Sequence, residues 1–201
     1  MTTGPHGANE VGGRRYSAVA MALHWAIALL LIGQILLGWN MASLDEGSSG
    51  PKTFEPIHIS IGLTILCLTV LRILWRLTHR PPPLPAGLAR WERVLAETVH
   101  VLLYAMMLAL PLTGWFMESI GPRPVPFWGV SWPHFPSVNA FLAGGDRREI
   151  KEALEGIHGS AMVWVLIALV GLHVAGALKH QFDGSPVLWR MAPFLKRPTG
   201  Q

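Results

Sequence analysis

Four long apolar stretches separated by polar segments dominate the sequence, at about residues 17–41, 57–77, 94–117 and 156–178. Each reaches the roughly 20 residues that a helix needs to cross a hydrocarbon core of about 30 Å. The pattern therefore predicts an all-α fold, an integral membrane four-helix bundle, with residues 1–201 forming a single domain.

The connections between these stretches differ in character. A proline-rich linker, residues 79–87, joins the second and third spans. The connection over residues 118–155 contains Pro122, Pro124, Pro126, Pro133 and Pro136, and we expect its first part to be irregular. Further along, Asp146 followed by Glu149 has the spacing of a helix start. We therefore expect the fourth helix to begin near Arg147, outside the membrane, and then to enter it.

Composition and charge agree with a membrane protein. Hydrophobic residues make up 51% of the chain and charged residues only 14%, whereas soluble domains carry about 25% charged residues. The single cysteine, Cys67, excludes an internal disulfide and a thiolate metal cluster. Arg72 and Arg76 close the second span and are expected to extend to the membrane interface.

The basic residues are distributed unequally between the two sides of the predicted bundle. Four spans place both termini on one side, and that side carries eleven basic residues: Arg14, Arg15, Arg72, Arg76, Arg80, Arg90, Arg93, Lys179, Arg190, Lys196 and Arg197. The other side carries five: Lys52, Arg123, Arg147, Arg148 and Lys151. By the positive-inside rule both termini are cytoplasmic. Part of the net charge of +4 is thus explained by basic residues that set the membrane orientation. We therefore expect no nucleic-acid partner.

The histidines indicate function. Three of the nine, His6, His79 and His134, fall in tails or loops, and six lie in or at the ends of spans: His24, His58, His100, His158, His173 and His180. Ionisable residues inside a membrane are costly and usually functional. By depth they sort into an external layer, with His58 and His158, and a cytoplasmic layer, with His24, His100 and His173 and with His180 one or two turns lower.

One helix contributes to both layers. His173 follows His158 by 15 residues, which is about 22 Å along a helix and about 60° around it. Zinc prefers four ligands, often cysteines or carboxylates, and no buried carboxylate accompanies either layer. Haem iron needs only two axial ligands, from opposite sides, and histidine serves well. The layers thus predict two stacked haems, and depth alone allows either His24 or His100 to pair with His173.

Small residues near the histidines are compatible with this interpretation. They leave room for a macrocycle or, equally, for close helix packing: Gly62, Gly114, Gly159, Gly171 and Gly176.

Short motifs add a family resemblance. They are Arg15-Tyr16-Ser17, His24-Trp25, His58 at the head of the second span, Leu110-Pro111-Leu112-Thr113-Gly114-Trp115, His158, Gly171-Leu172-His173, Leu178-Lys179-His180 and Pro186-Val187-Leu188-Trp189-Arg190-Met191. From about residue 14 to residue 193 the chain resembles the prokaryotic diheme cytochrome b561 family, which is related to the cytochrome b subunits of membrane formate dehydrogenases and hydrogenases.

The resemblance implies particular roles for the histidines. It pairs His24 with His173 at a cytoplasmic-side haem b, and His58 with His158 at an external haem b. It leaves His100 for a quinone site or proton relay, together with Lys179 and His180, with ubiquinone as the bound substrate. It also implies the bacterial inner membrane as the location.

These expectations combine into a function with two alternatives. The resemblance implies electron transfer across the membrane by a superoxide:quinone type oxidoreductase, which takes electrons from a small donor such as superoxide and passes them to quinone. The external connections carry five basic against eight acidic residues, so a positively charged approach for an anion must be local, at Arg123 or at Arg147 and Arg148.

The first alternative is a cytochrome b anchor subunit that docks a redox partner protein through residues 118–155. The second is a metal or proton transporter, which would show no haem absorption.

Overall fold

The computed structural model describes residues 14–45, 54–84, 87–183 and 187–196. The first three long helices are α1 (Ala18–Asp45), α2 (Glu55–Thr78) and α3 (Arg90–Ile120). The fourth rod is composite: α5 (Arg147–Gly156), a π-helical turn (Ile157–Met162) and α6 (Val163–Phe182). All four rods are long and apolar enough to cross a membrane, as predicted. Lys52, Pro85, Pro186 and Arg197, together with His6, lie outside the described residues.

The rods form a bundle in which neighbours in sequence are neighbours in space. α1 packs against α2, α2 against α3, and α3 against α6. The outer surface is apolar, and large side chains such as Leu29, Leu77 and Val101 are mostly exposed on it. Lipid accepts such a surface, whereas every backbone polar group must be satisfied inside the helices. The chain is therefore a helical membrane bundle.

The start of the fourth rod agrees with the sequence. α5 begins at Arg147, and the Asp146 carboxylate accepts a hydrogen bond from the Arg148 backbone N–H at 2.7 Å. A side chain at this position satisfies one of the free N–H groups of the first helical turn. The π-helical turn that follows was not predicted.

The connection over residues 118–155, called external here after the predicted orientation, is more regular than expected. Two short strands, β1 (Val125–Phe127) and β2 (Val130–Trp132), form an antiparallel hairpin in which Val125 lies opposite Trp132. The two residues of its turn, Trp128 and Gly129, have φ values of 48° and 86°, as a type I′ hairpin turn requires. The prediction of irregular structure was wrong here, because the many prolines concealed a short alternating pattern around a Trp-Gly turn.

The hairpin covers the external end of the bundle. Val125 is fully buried against Leu63 and Leu66 of α2, and Trp115 of α3 packs beside them. A short helix, α4 (Val138–Phe141), buries Val138 against Ile120. The connection thus packs over the external ends of α2 and α3 and holds them together.

At the opposite end, called cytoplasmic after the same prediction, arginines join both ends of the described chain to the linker. Arg190, in the short helix α7 (Leu188–Met191), donates to the backbone oxygens of Arg14 and Pro83 at 3.1 and 2.8 Å. Arg15 donates to Ala192 O and Leu195 O at 2.6 and 2.9 Å. Burial lowers the pKa of Arg190 below its ordinary value, yet arginine stays charged at physiological pH. The two ends of the described chain therefore lie at the same end of the bundle.

Candidate cofactor sites between the helices

The external histidine layer is a pair of facing imidazoles. His58 lies in the first turn of α2 and His158 in the π-helical turn. Their ring centres are 6.3 Å apart and their planes are inclined by 72°. The structure thus brings together the two residues that the sequence placed in this layer.

A threonine of α3 orients His158. Thr113 Oγ1 lies 2.9 Å from His158 Nδ1 and 2.8 Å from the backbone oxygen of Leu110. A hydroxyl has one proton, and Leu110 O can only accept, so Thr113 donates to Leu110 and accepts from His158 Nδ1–H. This hydrogen bond leaves the lone pair of His158 on Nε2, which is the usual arrangement for a metal-binding histidine.

Two glycines make room for the external imidazoles. A Cβ on Gly114 would lie 3.2 Å from His158 Cε1, and a Cβ on Gly38 would lie 3.5 Å from His58 Cε1. Gly114 was a sequence candidate, whereas Gly38 was missed. Of the other candidates, a Cβ on Gly62 would lie 3.4 Å from the Gln34 side chain, and one on Gly159, Gly171 or Gly176 would contact nothing within 4 Å.

The cytoplasmic layer contains three imidazoles. The ring centres of His24 and His173 are 6.1 Å apart, with planes inclined by 64°, and those of His100 and His173 are 5.1 Å apart. His100 Nδ1 lies 2.6 Å from the backbone oxygen of Ala96. Because a carbonyl only accepts, His100 carries its proton on Nδ1.

An arginine accompanies this layer. Arg72 Nε donates to the Tyr104 hydroxyl at 3.0 Å, and Arg72 Nη1 donates to the backbone oxygen of Ala20 at 3.0 Å. The guanidinium group acts electrostatically on the three imidazoles of the layer: His24, His100 and His173. The phenol of α3 and the carbonyl of α1 hold Arg72 between the helices, and its extension to the membrane interface stays a prediction.

The spacing of the rings tests whether a haem fits. A metal–imidazole bond of about 2 Å, plus about 1 Å from the nitrogen to the ring centre, places two ring centres roughly 6 Å apart across one metal ion. The His58–His158 and His24–His173 separations of 6.3 and 6.1 Å agree with this value, and the His100–His173 separation of 5.1 Å is shorter. His58 Nδ1 is also buried without a hydrogen-bond partner. Two of the ring pairs therefore have the separation expected of two histidines that hold one haem iron.

The three other predicted site residues, His100, Lys179 and His180, lie at two separate places. Lys179 Nζ contacts Glu92 Oε1 at 2.6 Å and Asp183 Oδ2 at 3.1 Å, and His180 Nδ1 lies 3.2 Å from the same Asp183 oxygen. These four side chains form a cytoplasmic ion cluster between α3 and the end of α6. His100 follows Glu92 by eight residues on α3, about 12 Å along the helix, and belongs to the histidine layer. Glu92 and Asp183 were not predicted as site residues.

On the external side, the arginines at the start of α5 have different partners. Arg148 pairs with Glu152 at 2.7 Å. Arg147 donates instead to neutral oxygens, the Asn139 Oδ1 atom at 2.8 Å and the backbone oxygen of Ile120 at 3.4 Å. Neither contact offsets the charge of Arg147, which lies in the first turn of a helix, where the helix dipole is positive.

Comparisons with known proteins agree with this architecture. A family model described as prokaryotic cytochrome b561 matches residues 15–194. Cytochrome b561 homolog 2 of Escherichia coli (strain K12) is 29% identical over 88% of this chain and 90% of its own length. The probable superoxide oxidase CybB of Yersinia pestis is 28% identical over 84% of this chain and 90% of its own length. Cytochrome b561 homolog 1 of Escherichia coli (strain K12) is 26% identical over 89% and 97%, respectively.

Proposed function

Because this chain belongs to the prokaryotic cytochrome b561 family, whose members are haem-binding transmembrane electron-transfer proteins, we propose that it uses two b-type haems to carry electrons from superoxide to membrane quinone. The observation that carries the proposal is the presence of two imidazole pairs whose ring centres are 6.1 and 6.3 Å apart. The bacterial inner membrane is part of the same proposal, and the orientation with both termini in the cytoplasm follows from the positive-inside rule.

The histidine pairs would hold the two haems at different depths. His58 and His158 would provide the axial ligands near the external end, and His24 and His173 those near the cytoplasmic end. Held in this way by two histidines, each haem would supply one-electron redox chemistry. The protein's contribution is then to orient the imidazoles, keep water away and set the spacing.

The choice of His24 over His100 as the partner of His173 rests on distance. The His100 ring is about 1 Å closer to His173 than two ligands on opposite sides of one metal ion should be, whereas the His24 ring has the expected separation. His100 then lies beside an axial ligand, without binding the metal itself. From there its imidazole is placed to take up or release a proton.

The cytoplasmic ion cluster would supply protons to the quinone. Reduction of a quinone consumes two electrons, from two superoxide anions, and two protons. His180 is half-buried at the end of α6, and its partner Asp183 is more exposed. A proton can therefore pass from solvent through Asp183 and His180. Lys179 uses two of its three N–H donors on Glu92 and Asp183 and would offer the third to a quinone oxygen.

Arg147 would attract the anionic donor. The external connections are acidic overall, so a local positive charge is needed to raise the rate of encounter with superoxide. Arg147 meets this need better than Arg148, which is paired with Glu152.

The decisive experiment measures haem content first and turnover second. Purified protein should contain two haems per chain and show a reduced-minus-oxidised b-type α band. It should also reduce a ubiquinone analogue when superoxide is generated, with a rate that falls as ionic strength rises. Colourless protein made with ample haem would contradict the haem proposal and favour a transporter. A dihaem protein without superoxide-dependent quinone reduction would favour the anchor-subunit alternative.

Some exposed apolar side chains support that alternative. Val130 at the hairpin and Phe141 in α4 are 65% and 69% exposed at the external end, where a partner's redox domain would have to dock. Purification as a lone chain with full superoxide:quinone activity would argue against an obligate partner.

A further inference from the structure

The rod that carries two of the imidazoles is not a uniform α-helix. Residues Ile157–Met162 form a π-helical turn, and His158 is its second residue. π-turns are rare, occur mostly as single turns within α-helices and are frequent at functional sites. Such a turn lets a helix accommodate one additional residue without changing the direction of the flanking segments.

The spacing of the histidines makes that additional residue significant. In a four-helix bundle, the positions that face the interior recur every seven residues. Two heptads, 14 residues, would return a side chain to the same face, but His158 and His173 are 15 residues apart. In an uninterrupted helix of 3.6 residues per turn, the fifteenth residue lies about 60° around the axis from His158, and about 100° from the position of the fourteenth.

Both imidazoles nevertheless point into the bundle and contact the same neighbouring helix. On the external side, His158 meets Thr113 of α3 and faces His58 of α2. On the cytoplasmic side, His173 meets His100 of α3 and faces His24 of α1. The π-helical turn is the irregularity that reconciles a 15-residue spacing with two inward-facing rings.

We propose that the π-helical turn accommodates one extra residue between His158 and His173, so that both side chains can face the interior of the bundle and serve as haem ligands. This inference rests on the proposed dihaem function, because it explains how one helix serves both sites. The residues of the turn are positioning residues and do not themselves bind the haem.

The proposal predicts an asymmetry between deleting and adding a residue. Deleting Ala161 leaves a 14-residue spacing, which matches two heptads of a bundle helix, so the turn should relax to α-helix and both ligands should stay in place. Duplicating Ala161 gives 16 residues, which exceeds what one π-turn absorbs. In a uniform α-helix both changes would rotate His158 by a similar angle and would be equally harmful.

The test compares haem-to-protein ratio and low-spin electron paramagnetic resonance signals in detergent. The expected result is two haems per chain in the Ala161 deletion, as in the parent protein, and loss of the external haem in the duplication. The haem that disappears in His58→Ala identifies the external signal. Deletion of Ala168, in the regular part of α6, also leaves 14 residues and should be equally tolerated, which keeps the test decisive if one deletion protein fails to accumulate.

Two results would overturn the proposal: loss of the external haem in both deletion proteins, or retention of both haems in the duplication. Failure of the proposed dihaem function would look different from both results, because the parent protein itself would then contain no haem. Retention of the cytoplasmic-side haem shows that a variant has folded.

Discussion

The two histidine layers are built differently, although each contains a ring pair with nearly the same separation. In the external layer, neutral groups surround the rings: the Thr113 hydroxyl and the glycines Gly38 and Gly114. Among the described residues, the ring that faces His58 is the imidazole of His158. The cytoplasmic layer instead contains a third imidazole, His100, and the guanidinium of Arg72.

This difference has a consequence for the direction of electron flow. A fixed positive charge stabilises the reduced state of a nearby redox centre, because reduction adds a negative charge. Arg72 should therefore raise the reduction potential of the cytoplasmic-side haem relative to the external one. Electrons from an external donor would then move downhill toward the end of the bundle that carries the Lys179–His180 cluster.

The largest expected effect comes from removing a ligand from one layer. His58→Ala should lose the external haem, and His24→Ala should lose the cytoplasmic-side haem, so that each protein retains about one haem per chain. His100→Ala is the matched control, since it removes an imidazole from the cytoplasmic layer and should retain both haems. Pyridine haemochrome assay against protein concentration measures all three ratios. Loss of a haem in His100→Ala with retention in His24→Ala would exchange their roles.

A smaller effect is expected from the hydroxyl that orients His158. Thr113→Val preserves shape but removes the acceptor for His158 Nδ1–H, and loss of such a supporting hydrogen bond usually weakens metal binding about 10–100-fold. Only the external haem should be affected, so haem transfer to apomyoglobin should become biphasic. Thr113→Ser keeps the hydroxyl and should behave as the parent. Equal weakening of both haems would mean that Thr113 supports the bundle rather than one ligand.

The charge next to the cytoplasmic layer should have an effect of similar or lesser size. Arg72→Gln should lower the potential of the haem that His24→Ala removes by about 50–100 mV, as expected for one charge at about 10 Å in a protein interior. The external potential should change little. Tyr104→Phe removes a hydrogen bond from Arg72 but keeps the charge, and is the control in spectroelectrochemical titration. Equal shifts at both haems would contradict the local assignment of the charge.

Whether a feature of this protein could be predicted from its sequence depends on the physical origin of that feature. Spans are set by length and apolarity, which the sequence displays directly, so the four rods and the start of α5 at Arg147 were predictable. The sorting of histidines by depth required only the rise of a helix, and the structure brings the predicted partners together. Their roles as ligands stay a prediction.

What the sequence did not reveal depends on contacts between distant residues. Arg72 resembles an interfacial residue in sequence, and only the meeting of α2 with Tyr104 of α3 and Ala20 of α1 shows that it lies between the helices. The π-helical turn likewise results from the competition between local hydrogen bonding and the need to face His58. The sequence signal for it was available, since 15 residues do not match a heptad repeat, but the straight-helix estimate of about 60° made the mismatch look tolerable.

The smallest expected effect concerns the two glycines beside the external rings. In Gly114→Ala the new methyl group would lie 3.2 Å from His158 Cε1, so the ring must shift by a few tenths of an ångström, whereas in Gly38→Ala it would make an ordinary contact with His58 at 3.5 Å. Because the orientation of an axial imidazole influences the electron paramagnetic resonance g values of a low-spin haem, Gly114→Ala should shift the external signal more than Gly38→Ala. The cytoplasmic-side signal should stay fixed in both. Shifts of equal size in the two variants would mean that the Thr113 hydrogen bond alone, and not packing against α3, holds the His158 ring in place.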